Sequence, residues 1–123
     1  MMICFDWYFP ESARTLALRG AQIVAHPSNL VLPNCPNAMP VRSLENRVFA
    51  VTSNRVGTED RGGTSLTFIG QSQITSPRGE ILHRCPAVGA AVSVVEITPE
   101  LADNKFATER NHLLNDRRPE FYA

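Results

Sequence analysis

The chain has 123 residues, 43% of them hydrophobic and 20% charged, with 12 basic residues balanced by 12 acidic ones. That length suits one domain with a sizeable core and is too short for two, and the composition lies well away from the disordered class. With no net charge, nothing draws the chain to nucleic acid or to an anionic membrane surface.

No apolar run approaches the ~20 residues that span a bilayer. The opening MMICFDWYFPE lacks a basic region and carries acids early, unlike a secretory signal. The three cysteines, Cys4, Cys35 and Cys85, are odd in number and widely spaced, which argues against a disulfide framework and fits a reducing, cytoplasmic compartment. No C-x-x-C is present, and His26, His83 and His112 have no partners at zinc spacing, so no metal is expected.

In chain order, MMICF reads as a short buried strand that ends at Asp6. Pro10, Glu11 and Ser12 open a helix, because proline suits the first turn and an acid is favoured at the positive end of the dipole. Ala13, Leu16, Ala17 and Gly20 fall on one face of that helix, and Gly20 marks its stop. AQIVAH follows as a second strand, which makes a βαβ unit with parallel pairing.

HPSNLVLPNCPNAMP reads as a long loop rich in proline and asparagine, with a helix over residues 41–47 after it. VFAVTSNR is the next strand and GTEDRGG a polar turn. FIGQSQITSP, the tight turn SPRG and EILHR together predict a hairpin. AAVSVVEI is the last strand, Thr98 caps a final helix from about residue 99, and NDRRPEFYA forms an extended tail whose Phe121 and Tyr122 need a surface. The class is α/β.

Cys4 thus stands where a strand gives way to a sharp turn and a helix. That geometry exposes a nucleophile above a sheet and aims backbone N–H groups at a developing oxyanion. A nearby helix N-terminus also raises the thiolate fraction. Packing is the rival account, since unpaired cysteine is among the most buried residue types.

The segments MICFDWYFPESARTLALRGAQIVAHPSNL, RSLENRVFAVTSNRVG, FIGQSQITSPRGEIL and DRRPEFY, in that order, resemble the carbon–nitrogen hydrolase (nitrilase/amidase) superfamily over essentially the whole chain. The small nitrilases and amidases of archaea and bacteria are the most similar. The resemblance implies an α-β-β-α sandwich, usually a dimer. It implies Cys4 as nucleophile, the backbone N–H of Phe5 as an oxyanion donor, and a small nitrile or amide substrate hydrolysed through a thioester without a cofactor. Asp6, Trp7 and Tyr8 match pocket-lining positions; basic residues stand there in members that bind carboxylates, and their absence here points away from carbamoyl amino acids. Asn29 either holds a substrate carbonyl or ties down its own loop. Glu45 and Asn46 are read as stabilising a loop, Gly70 and Ser72 as close packing and a buried hydroxyl, and Cys35 and Cys85 as structural. The Arg117-Arg118-Pro119 segment resembles one that reaches across the dimer.

The resemblance also implies a glutamate base and a lysine ahead of the cysteine. Only Met1, Met2 and Ile3 precede Cys4 here. Lys105, the sole lysine, lies in another segment, and Glu11 is too near Cys4. The chain is therefore expected to be the C-terminal part of the hydrolase domain, half of the sandwich over residues 1–123, and inactive alone. Two further readings stand beside it: a partner for a separately encoded N-terminal half, and a non-catalytic assembly module or relic that pairs with a full-length homologue.

Overall fold

The computed structural model describes residues 1–122. Helix α1 (Pro10–Leu18) starts on a proline at its first position and ends before Gly20, whose φ of +85° is a conformation glycine adopts freely. It buries Ala13 and Ala17. Strand β1 (Ile23–Ser28) pairs in parallel with β2 (Phe49–Asn54), and β2 continues antiparallel to β5 (Gln73–Thr75) and β6 (Ile81–Arg84), giving the sheet order β1-β2-β5-β6. The expected SPRG hairpin joins β5 to β6, with the Gly79 N–H bonded to the Ser76 carbonyl at 2.9 Å.

The sheet side chains divide by the strand period of two. Val24, His26, Ala50, Thr52, Gln73 and Thr75 are buried. Ile23, Ala25, Pro27 and Ser53 face the opposite way and are exposed. The core joins Met2, Trp7, Ala13, Ala17, Val24, Leu30, Cys35, Met39, Val48 and Ala50.

Several elements depart from the sequence reading. The opening strand is absent: the Met2 N–H donates to the Ala25 carbonyl at 3.0 Å, but the chain then enters a 3-10 helix over Cys4–Tyr8. The Asp6 carboxylate turns the chain by accepting the Ile3 N–H at 2.8 Å. The parallel βαβ unit is accordingly β1, helix α2 (Cys35–Asn46) and β2, one element later than expected.

Helix α2 runs Cys35–Asn46 and takes in the supposed loop. Pro36 lies in its first turn, where no N–H is required. Pro40 lies inside it and leaves the Pro36 carbonyl without its intrahelical donor. Gln73 Nε2 at 2.9 Å and Arg84 Nη2 at 2.8 Å fill that carbonyl. The Ser43 and Thr75 hydroxyls, 2.7 Å apart, add a second tie between helix and sheet.

GTEDRGG is a strand and a turn: β3 (Val56–Arg61) and β4 (Thr64–Ile69) form a hairpin closed by Gly62 and Gly63. Both glycines have positive φ, +55° and +89°, as a two-residue hairpin turn requires. The expected last strand, residues 90–97, is absent: exposure alternates from Val92 onward as in a strand, yet among the described residues no strand pairs with it, and Val92 and Val94 are 95% and 92% exposed. The final helix shrinks to a 3-10 turn, Pro99–Ala102, and the Thr98 side chain makes no cap. The short pair β7 (Phe106–Thr108) and β8 (Asn111–His112) follows. The tail forms a 3-10 turn over Pro119–Phe121, with Phe121 and Tyr122 exposed.

Candidate active site

Cys4 begins the 3-10 helix with φ +46°, a left-handed conformation that few non-glycine residues adopt. Its thiol is unpaired and half-buried. Beside it opens a cleft of about 380 Å³ whose walls include Cys4, Ser28, Asn29, Ser53, Asn54 and Arg55, from the ends of the parallel strands β1 and β2 and the loops after them. Phe5 follows Cys4 in the first helical turn, where a backbone N–H has no intrahelical acceptor.

Beneath Cys4 lies His26, 1% exposed. Its Nε2 is 2.8 Å from the Cys4 carbonyl oxygen and 3.0 Å from Ser28 Oγ, and its Nδ1 is 3.1 Å from Thr52 Oγ1. A carbonyl only accepts, so Nε2 carries the hydrogen and Nδ1 accepts from the Thr52 hydroxyl. Burial pushes the imidazole pKa below its usual value; the bond to Cys4 and the nearby Asp6 charge act against that.

The structure brings Cys4 and Asn29 together on one cleft. Asp6, Trp7 and Tyr8 do not line it. Asp6 is bonded to the Ile3 N–H, Trp7 belongs to the core, and Tyr8 stacks on the Phe5 ring with centroids 5.1 Å apart. The Trp7 indole N–H is buried without an acceptor among the described residues. Arg42 binds the Trp7 carbonyl through Nε at 3.2 Å and pairs with Glu45 at 3.0 Å, fastening α2 to the 3-10 helix.

Two polar residues not singled out in the sequence shape the site. One is His26. The other is Asn54, whose Oδ1 accepts the Leu30 N–H at 2.7 Å and whose Nδ2 donates to the Gly70 carbonyl at 2.8 Å, holding the loop that carries Asn29. Neither advertises itself in a motif, because each is defined by partners from distant elements.

The remaining cysteines differ in setting. Cys35 is fully buried, and burial, with Cys4 nearby, pushes its thiol up to about 12. Cys85 Sγ lies 3.5 Å from Ser93 Oγ, which is 2.7 Å from His83 Nε2. Among the described residues no three His, Cys, Asp or Glu side chains converge as a metal site. A larger cleft of about 820 Å³, between the end of α2, the β5–β6 turn and residues 96–107, holds neither cysteine nor histidine. Lys105 lies far along the chain and bonds the end of α2.

The carbon-nitrogen hydrolase family model matches residues 1–104. A nitrilase of Pyrococcus abyssi is 53% identical over 122 residues, covering 99% of this chain and 45% of its own length. The crystal structure of a carbon-nitrogen hydrolase from Helicobacter pylori superposes with a TM-score of 0.82 at 26% identity, over 98% of this chain and 46% of that one. A mutant of the amidase from Nesterenkonia sp. AN1, with the acetamide moiety of fluoroacetamide covalently added at its active site cysteine, aligns with a TM-score of 0.62 at 34% identity, over 70% of this chain and 32% of that one. The chain thus spans less than half the length of these relatives.

Proposed function

This chain belongs to the carbon-nitrogen hydrolase family, and from that premise we propose that Cys4 is the nucleophile for hydrolysis of a small nitrile or amide. The observation that carries the reading is the position of Cys4 itself: an unpaired, half-buried thiol, in a left-handed backbone conformation, on the wall of a cleft. The covalent adduct described for the Nesterenkonia amidase at its active site cysteine supports it.

In this mechanism the Cys4 sulfur attacks the substrate carbon while a base takes the thiol proton. An amide gives a tetrahedral adduct and a nitrile a thioimidate. The negative charge of the amide adduct falls within reach of the Phe5 N–H. The amide adduct expels ammonia or an amine, which takes up the proton that the base removed from the thiol; the thioimidate, protonated on nitrogen by the same base, first adds one water and then expels ammonia. Either route leaves a thioester on Cys4, and a further water hydrolyses it to the acid and the free thiol. Asn29 stands on the same cleft and serves to orient the substrate carbonyl.

No glutamate or lysine stands among the residues around the cleft. The base and the cationic oxyanion partner implied by the resemblance are therefore supplied from outside these residues, and the chain alone is proposed to be inactive. The exposed sheet face bearing Ile23 and Ala25 and the uncovered Val92 and Val94 favour an association partner, either a complementary N-terminal half or a second copy. The second reading, a non-catalytic assembly module, rests on the same surfaces. The three unpaired thiols suit a reducing cytoplasm, and no helix of the described residues is long and apolar enough to cross a membrane.

The test is to mix the chain with the separately produced N-terminal half of a full-length relative and assay ammonia release from small amides and nitriles. Activity in the mixture, absent from either part and lost with Cys4→Ala, is the expected result. A stable complex without turnover, unchanged by Cys4→Ala, would leave the assembly module as the function.

A further inference from the structure

We infer that His26 is a positioning residue for the nucleophile: its ring clamps the Cys4–Phe5 peptide so that the Phe5 N–H is presented away from the core. The inference rests on the reading of Cys4 as nucleophile and adds to it a buried side chain from a separate strand.

The argument starts from the peptide unit. The Cys4 carbonyl and the Phe5 N–H belong to one planar, trans peptide, so they point in opposite directions and turn together. The His26 N–H holds the Cys4 oxygen at 2.8 Å on the buried side. That bond fixes the direction of the Phe5 N–H on the other side, the donor expected to meet the oxyanion. It also stabilises a backbone that is otherwise unfavourable, since the φ of +46° at Cys4 is costly for a residue with a Cβ.

The ring is itself held from three directions. Thr52, on the neighbouring strand β2, donates to Nδ1 and thereby keeps the hydrogen on Nε2. Ser28, two residues along β1, shares the Nε2 hydrogen at 3.0 Å. Burial against the core favours the neutral imidazole. The His26–Thr52 pair sits in the parallel ladder, where the two residues are directly in register. The position of the nucleophile is thus referred to the β1–β2 ladder rather than to its own loop.

The experiment reads thiol presentation directly, on the chain as it is. Iodoacetamide labelling is followed at each cysteine by peptide mass spectrometry, with buried Cys35 reporting unfolding and half-buried Cys85 serving as an internal standard. In the wild-type chain Cys4 is expected to react faster than Cys85. In His26→Leu its rate should fall about tenfold, the effect of losing one buried hydrogen bond of ordinary strength, with Cys35 still protected. His26→Gln, whose amide N–H can replace the donor, should recover most of the rate; a merely space-filling role would not discriminate Gln from Leu in this way. An unchanged Cys4 rate in His26→Leu with Cys35 protected would overturn the inference and leave the nucleophile intact. If His26→Leu exposes Cys35, Thr52→Val decides: it keeps the ring and frees its tautomer, so Cys4 should slow while Cys35 stays protected, and an unchanged rate overturns the inference. Wild-type Cys4 reacting no faster than Cys85 would remove the nucleophile reading, and the inference with it.

Discussion

Lys105 Nζ donates to the carbonyls of Arg47 at 2.8 Å and Asn46 at 3.1 Å, capping the C-terminus of α2 with a charge from far along the chain. The last carbonyls of a helix lack intrahelical donors and carry the negative end of its dipole, so a cation there satisfies both needs. The sole lysine of the chain is therefore occupied by the fold.

Lys105→Met is expected to destabilise the chain by about 1–2 kcal/mol, the range for a charged hydrogen bond at a helix end. Urea denaturation compared with wild type measures it. A change confined to residues 99–112 by hydrogen exchange, with α2 unaffected, would contradict the cap.

Gly70→Ala should cost much more than Gly20→Ala. A Cβ at Gly70 would lie 2.4 Å from the Ala87 carbonyl oxygen, whereas one at Gly20 meets nothing within 4 Å. Both positions have positive φ, so a backbone cost of about 1–2 kcal/mol for a residue with a Cβ is common to them. The clash raises Gly70→Ala to about 2–4 kcal/mol. Equal thermal midpoints for the two variants would refute the close approach.

Asn54→Ala removes the acceptor of the buried Leu30 N–H and the donor to the Gly70 carbonyl. A loss of about 2–4 kcal/mol is expected, since both backbone groups are left without partners. Protease nicking near Asn29 should accelerate with it, because the same side chain anchors that loop.

Stability should decline in mild acid through His26. Its folded pKa is lowered from 6.5, so below pH 6.5 the unfolded chain takes up a proton that the folded chain refuses. Stability attributable to the neutral ring is complete above pH 6.5 and is lost as pH falls towards the folded pKa. His26→Gln, compared with wild type in urea titrations, should flatten that part of the profile.

At the alkaline end Cys35 acts with the same sign of logic reversed. Its thiol is pushed from 9.0 up to about 12, so the unfolded chain releases the proton first. Stability should fall as pH rises from 9.0 towards about 12, and Cys35→Ala should remove that slope after its own cavity cost is subtracted.

The sequence was legible where a local rule decides the outcome. Pro10 and Gly20 bracket α1, and the SPRG turn places the β5–β6 hairpin. It was opaque where the deciding partner is remote. Pro36 and Pro40 look like loop residues until Gln73 and Arg84 supply the missing donor. Val56-Gly57-Thr58-Glu59-Asp60-Arg61 has too few apolar residues to show a strand period, yet it pairs in full with β4. Residues 92–97 show the period and, among the described residues, lack the partner. At the site, Cys4 stood out by its setting and its neighbours. His26 and Asn54 did not, because a buried polar side chain is recognised by what it bonds, and their partners lie on other elements.

The Pro36 carbonyl ties the order of assembly to the architecture. A helix interrupted at Pro40 has an open valence on the side facing the sheet, and only the docked β5–β6 hairpin closes it. A peptide of residues 35–46 alone should therefore be nearly without helix, and the helix should appear in the same kinetic step as the hairpin. The one proline that weakens the local element, Pro40, thereby makes its formation report that the distant one is already in place.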